Sequence, residues 1–237
     1  YNPAIGGYAL DANTPADGNT ALGYAALGVN TTGANNTGLG YLSLDANTTG
    51  AGNVAVGVNA LTANTTAASN TAVGYSALGA NTTGTYNTAV GHNALLLATT
   101  ADYNTATGYT AGDAITTGAQ NTFNGALAGS GTNTGGSNTA VGSQAFQVNT
   151  TGANSVAIGR QALYANTTAA GNTAVGNDAM TTNTTGADNV AVGRNSMYAN
   201  TTGANNAVLG SYALDANTTG AFNIAVGSSA LGVNSTG

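Results

Sequence analysis

Residues 70–86 read NTAVGYSALGANTTGTY, and residues 87–95 start the same phrase again as NTAVGHNAL. Seventeen residues upstream, from Asn53, stands NVAVGVNALTANTTAAS. Numbered from its leading Asn, the unit carries glycine at its fifth position in every copy, at Gly6, Gly23, Gly40, Gly57, Gly74, Gly91, Gly108, Gly125, Gly142, Gly159, Gly176, Gly193, Gly210 and Gly227. Fourteen glycines without an insertion or deletion mean that each unit does the same geometric job as its neighbour, the mark of a quasi-one-dimensional stack.

Positions 2–4, usually Thr-Ala-Val, form a short β-favouring run. Position 8 is Ala with two Ser exceptions, and position 9 is Leu, Met or Phe in all but two units. An Asn-Thr-Thr-Gly corner follows at positions 12–15. Helix is a poor reading, because Gly recurs in every unit and Asn and Thr are weak helix formers. The pattern predicts an all-β chain, a parallel β-solenoid of fourteen 17-residue coils, with one strand over positions 2–4 and a second over about 7–11. In-register stacking at about 4.8 Å per coil then turns each position into a ladder.

The expected interior is a ladder of positions 4 and 9: Val56, Leu61, Val73, Leu78, Val90, Leu95, Val141, Ile158, Leu163, Val175 and Val192. Position 3 is then expected to point the other way. Its alanines, Ala55, Ala72, Ala89, Ala140, Ala157, Ala174, Ala191 and Ala225, read as a self-association face, since the core is thin and a second source of burial is needed. The Asn at positions 1 and 12 are suited to hydrogen-bonded ladders and to turns. Residues 104–137 depart from the pattern while keeping its phase, with Thr107, Gly112, Asn124 and Gly129 at expected core positions and with Phe123 and Leu127 where Ala and polar residues stand elsewhere.

Composition narrows the function. The 237 residues include no Cys, and the charges are eight Asp with Arg160 and Arg194, a net charge of −6. Disulfides and thiolate metal sites are excluded, and nucleic acid is not an expected partner of such a surface. No apolar run is long enough to span a membrane as a helix. The array opens on the last residue of one unit and stops two short of completing another, which reads as a window on a longer repetitive chain.

NSVAIGRQAL at Asn154, with NTAVGYSAL, NVAVGRNSM and NIAVGSSAL elsewhere, resembles the head repeats of YadA-like trimeric autotransporter adhesins. The likeness runs along essentially the whole chain. It implies a left-handed parallel β-roll, three chains side by side, and binding to host matrix or other surfaces. Related units occur in bacterial and phage fibre proteins. The present unit is longer than the commonest adhesin head repeat by the Asn-Thr-Thr-Gly corner.

Catalytic chemistry finds little footing. His92 is the single histidine, so neither a Ser-His-Asp triad nor a two-histidine metal site can form within one chain, and no cofactor, metal or enzymatic activity is expected. Asp11, Asp45, Asp113 and Asp215 share position 10 without ever occupying adjacent coils, which avoids like charges about 5 Å apart. Tyr24, Tyr41, Tyr75 and Tyr109 share position 6 and form either an outward stack or a platform for sugars. Asn30, Asn47, Asn64, Asn81, Asn149, Asn166, Asn183, Asn200, Asn217 and Asn234 match the N-glycosylation acceptor pattern, with engagement in the turn ladder as the competing reading. If sugars are attached, the neighbouring Thr hydroxyls are the better acceptors.

The function expected is a non-catalytic structural or adhesive fibre segment at a bacterial surface, a homo-oligomer or filament with a surface, matrix or glycan ligand. An ice-binding solenoid and a phage tail-fibre shaft are the alternatives. Against the ice reading, adjacent Thr in a strand point to opposite faces.

Overall fold

The computed structural model describes residues 1–236 and contains no helix among them. It divides into two compact units, Tyr1–Ala119 and Gln120–Gly237. The first holds β1 (Ala4–Ile5), β2 (Thr20–Leu22), β3 (Thr37–Leu39), β4 (Val54–Val56), β5 (Thr71–Val73), β6 (Thr88–Val90) and β7 (Thr105–Thr107). The second holds β8 (Thr122–Asn124), β9 (Thr139–Val141), β10 (Val156–Ile158), β11 (Thr173–Val175), β12 (Val190–Val192), β13 (Ala207–Leu209) and β14 (Ile224–Val226). Within each unit every strand pairs in parallel with the next, and like positions face like: Ala55↔Ala72 and Val56↔Val73 in the first, Ala157↔Ala174 and Ile158↔Val175 in the second. The chain is thus a parallel β-solenoid of 17-residue coils, as the period predicts.

The invariant glycine of position 5 has a direct cause. Gly74 has φ of 136°, and a Cβ there would run into the carbonyl of Gly91 in the next coil. Only glycine takes this backbone and this approach together.

Positions 7–11 do not form the expected second strand. They make overlapping turns, closed by Ala77 N–H to the Gly74 carbonyl (3.4 Å), Gly79 N–H to Ser76 (3.1 Å) and Asn81 N–H to Leu78 (3.1 Å). Ser76 and Leu78 both lie in left-handed backbone, at φ of 51° and 50°. A positive φ at the third residue of a turn is what type II geometry requires. Neighbouring coils remain bonded through this segment: Ser76 N–H reaches back to Val58 (2.9 Å), while Leu78 and Ala80 N–H reach forward to Ala94 (3.0 Å) and Leu96 (2.9 Å). The left-handed residue also breaks strand alternation, so Ala77 and Leu78, adjacent in sequence, are both fully buried.

The strand faces opposite to expectation. Ala55, Ala72, Ala89, Ala140, Ala157 and Ala174 are fully buried inside their own coils, as is Ala191, and Ala225 is 2% exposed, so none of these alanines is available as an association face. Val56, Val73, Val90, Val141, Ile158, Val175 and Val192 point outward instead; Val90 is 37% and Ile158 40% exposed. Leu61, Leu78, Leu95 and Leu163 of position 9 are the large side chains that fill the interior. The reason lies in position 1. Its Asn turns inward, and alternation then sends positions 2 and 4 out and position 3 in. The space at position 3 is narrow: at Gly38 an added Cβ would meet Ser43 Oγ at 3.1 Å and Leu27 Cγ at 3.4 Å.

This reversal changes the reading of residues 104–137, which contain the boundary between the two units. Thr107 and Asn124 sit on the exposed face and are no defect. Gly112 and Gly129 do occupy the core position. In their coils Ile115 and Phe123 are buried where Asn and Ala stand elsewhere.

Candidate functional surfaces

Two rows of asparagine form a polar seam inside the coils. The backbone N–H of Asn53 donates to Asn36 Oδ1 (2.9 Å), and that of Asn70 to Asn53 Oδ1 (3.0 Å). At the corner, Asn64 Nδ2 donates to Asn47 Oδ1 (2.8 Å) and to the Ala67 carbonyl (3.1 Å). The same carbonyl accepts from Asn53 Nδ2 at 2.8 Å. Both amide hydrogens of the corner Asn are therefore used, and satisfied polar groups of this kind are what a buried amide requires.

N-glycosylation is excluded by this placement at nine of the ten matching asparagines. Asn30, Asn47, Asn64, Asn81, Asn149, Asn166, Asn183, Asn200 and Asn217 are fully buried, leaving no room for a sugar on Nδ2. Asn234, in the last coil, is half-buried and its Nδ2 lies 3.4 Å from Asn223 Oδ1.

The outward strand face presents positions 2 and 4. In the first unit it carries Thr20, Thr37, Thr71, Thr88 and Thr105 beside Leu22, Leu39, Val73, Val90 and Thr107. In the second unit aliphatics dominate, with Leu209 54% and Val190 44% exposed. Each ladder advances one residue per coil, so the face is a narrow, mostly apolar strip without charge.

The Asn-Thr-Thr corner separates its two threonines. At position 13 the hydroxyl is engaged: Thr48 Oγ1 donates to the Thr65 carbonyl (3.1 Å) and Thr65 Oγ1 to Thr82 (3.3 Å). That carbonyl also gathers backbone donors, Thr48 N–H at 2.9 Å and Thr49 N–H at 3.2 Å reaching Thr65 O. At position 14 the side chain is exposed throughout, as at Thr49, Thr66 and Thr83.

The position-6 rings stack on one another. Tyr24 and Tyr41 lie 5.6 Å apart at an interplanar angle of 16°. His92 sits between Tyr75 (5.1 Å) and Tyr109 (5.5 Å). A second stack, which the sequence reading did not single out, joins Tyr86 to Tyr103 at 5.0 Å and 7°. Nearly parallel rings cover each other's faces and leave edges and hydroxyls outward. A sugar stacks on a ring face, so a face-on platform of the sort considered for Tyr24, Tyr41, Tyr75 and Tyr109 is not formed within a stack.

Charged groups are scattered. Arg160 pairs with Asp178 (2.8 Å), and the Arg194 guanidinium lies 4.7 Å from the centre of the Tyr212 ring. Burial pushes the Asp45 carboxyl upward from its ordinary value. Burial does the same to Asp113, against a smaller downward pull from the backbone N–H groups of Asp113 and Ala114. Among the described residues no three His or Asp side chains cluster as metal ligands would, and no helix is long and apolar enough to cross a membrane. No protein-family model matches the chain, and no curated protein matches it.

Proposed function

We propose that the chain is a non-catalytic segment of an extracellular fibre, structural or adhesive, in which copies of the chain associate through the outward strand face. The observation that carries this reading is the uncharged strip of positions 2 and 4. An exposed apolar sheet face of this kind is an association hazard unless covered. A second copy has the same coil period by construction, so its ladder meshes with this one along its length. Three-fold association is the arrangement the resemblance to YadA-like heads implies. The near-absence of charge suits a chain that is hydrated by attached sugars, and its ligands would be surface or matrix polymers.

The test is particle mass. Light scattering on the purified chain should give a multiple of 22.7 kDa, and Val73→Asp with Ile158→Asp should reduce it to one copy without loss of β-signal. A single-chain mass for the unaltered protein overturns the reading.

One observation favours a second reading, an ice-binding face. Thr of position 2 and the β-branched residue of position 4 stand on one exposed face of a parallel sheet, repeated at about 4.8 Å. The adjacent-threonine objection does not apply to this pair. Thermal hysteresis at micromolar concentration would establish it, and unaltered ice growth would remove it.

A further inference from the structure

The corner threonines differ in a way that packing does not explain. Position 13 has a structural task, since its hydroxyl bonds the carbonyl of the next coil, as Thr82 Oγ1 does to Thr99 (3.1 Å). Yet position 13 admits Asn133 and Ser235. Position 14 makes no side-chain hydrogen bond at Thr49, Thr66, Thr83, Thr168, Thr185 or Thr202, and every one of these is exposed. It is nevertheless Thr in thirteen of fourteen units, with Pro15 the exception. Other exposed positions drift freely: position 6, exposed in most coils, holds Gly, Tyr, Val, His, Ala, Ser, Arg and Asn. The backbone N–H of this position bonds the next coil, as Thr49 does to Thr65, but that bond does not select a hydroxyl. A side chain that is uniform with no hydrogen bond of its own to keep it so points to a requirement outside the chain. A requirement for β-branching alone would accept Val or Ile, and neither occurs there.

We propose that the position-14 threonines are an O-glycosylation row. This rests on the reading of the chain as extracellular and sugar-hydrated, and it assigns the attachment atom. The hydroxyl is the one free, regularly spaced nucleophile that the corner offers, while nine of the corner asparagines beside it, Asn47, Asn64 and Asn81 among them, are sealed in the interior. In the transfer, Oγ1 attacks the anomeric carbon of a nucleoside-diphosphate sugar. The bond from that carbon to the phosphate oxygen breaks, the diphosphate leaves with the electron pair, and the hydroxyl proton passes to a base of the transferase. At about 4.8 Å per coil, linked sugars would touch and form a continuous polar ridge along each unit. Such a ridge supplies the hydration that two Arg and eight Asp in 237 residues do not.

The experiment is peptide mapping of the protein isolated from its own host, with fragmentation that keeps sugars attached, alongside β-elimination in mild base. Peptides covering residues 36–119 should carry sugar masses on Thr49, Thr66 and Thr83 and none on Thr48, Thr65, Thr82, Asn47, Asn64 or Asn81. β-Elimination should convert the modified residues to dehydrobutyrine. Unmodified peptides, or sugars on position 13 or on Asn, overturn the proposal. Light scattering on the same sample keeps the two readings apart: assemblies with bare threonines leave the fibre reading standing alone, and glycosylated single chains leave only the sugar row.

Discussion

The ring of Phe123 lies where the side chain of Gly129 would be: a Cβ built on Gly129 would stand 2.6 Å from Phe123 Cδ1, Cε1 and Cζ. In most coils position 3 is Ala and position 9 is Leu. Here the two have exchanged bulk within one coil, and Phe123 is 1% exposed. The pair predicts a strong thermodynamic coupling. Phe123→Ala alone should cost about 3–5 kcal/mol through the cavity it leaves. Gly129→Leu alone should be destabilising through collision with the ring. The double variant rebuilds the ordinary coil and should be far milder than the sum, with a coupling of about 1–3 kcal/mol in a denaturation cycle. Additive effects would show that the two side chains do not share one space.

Neighbouring residues of one strand should respond oppositely to charge. Ala72→Glu places an unpaired carboxylate in a fully buried position and should open its coil, costing several kcal/mol. Leu78→Asp should do the same. Val73→Glu points to solvent and should leave the coil intact while weakening association of copies. Hydrogen exchange of the Val73 and Gly74 amides reads the difference: protection should be lost in the first two variants and kept in the third.

Threonine hydroxyls at the corner should divide by position. Thr82→Val removes a hydrogen bond to the Thr99 carbonyl and should cost about 0.5–1.5 kcal/mol. Thr83→Val, on the exposed row, should fall within about 0.5 kcal/mol of neutral. Thermal melts of the two variants side by side make the comparison.

Stability should fall as pH rises through the acid range. Burial raises the carboxyl of Asp113 above its ordinary, unfolded value, so the folded chain holds a proton that the unfolded chain has released. In that window, between the unfolded value and the raised folded one, stability declines with increasing pH. Asp45 shifts the same way. Asp113→Asn should therefore be stabilising at neutral pH and should flatten the acid-side slope. Denaturant midpoints measured from pH 4 to pH 7 check both, and an unchanged slope would remove Asp113 as its source.

Much of this architecture is legible from residue types alone. The period, the parallel stacking, the glycine row of position 5 and the Leu of position 9 all follow from hydrophobic spacing and from the conformational demands of glycine. The strand's facing does not, because Thr-Ala-Val offers three β-compatible residues and larger ones look like core. What settles it is the inward Asn at position 1, whose alternation fixes its neighbours. The turns at positions 7–11 were hidden because Leu and Ser are poor markers of left-handed backbone. One signal was available: Gly112 and Gly129 fall at position 9, with φ of 59° and 62°, the conformation that Leu78 adopts at 50°. The surface rows were visible as repeats, but the division between the two corner threonines needed the hydrogen bonds.

Because position-5 glycines within a unit nest one against the next by the same contact, as Gly57 does on Gly74 and Gly176 on Gly193, excising one whole coil within a unit would bring together two surfaces that already fit. Unequal crossing-over between the near-identical gene segments would therefore yield shorter or longer chains that still fold. Length becomes a heritable variable that selection can adjust in single-coil steps, independently of the chemistry on any face. Partial-coil insertions, which throw the glycine contact out of phase, are the changes such an array must reject, and none interrupts the fourteen glycines present.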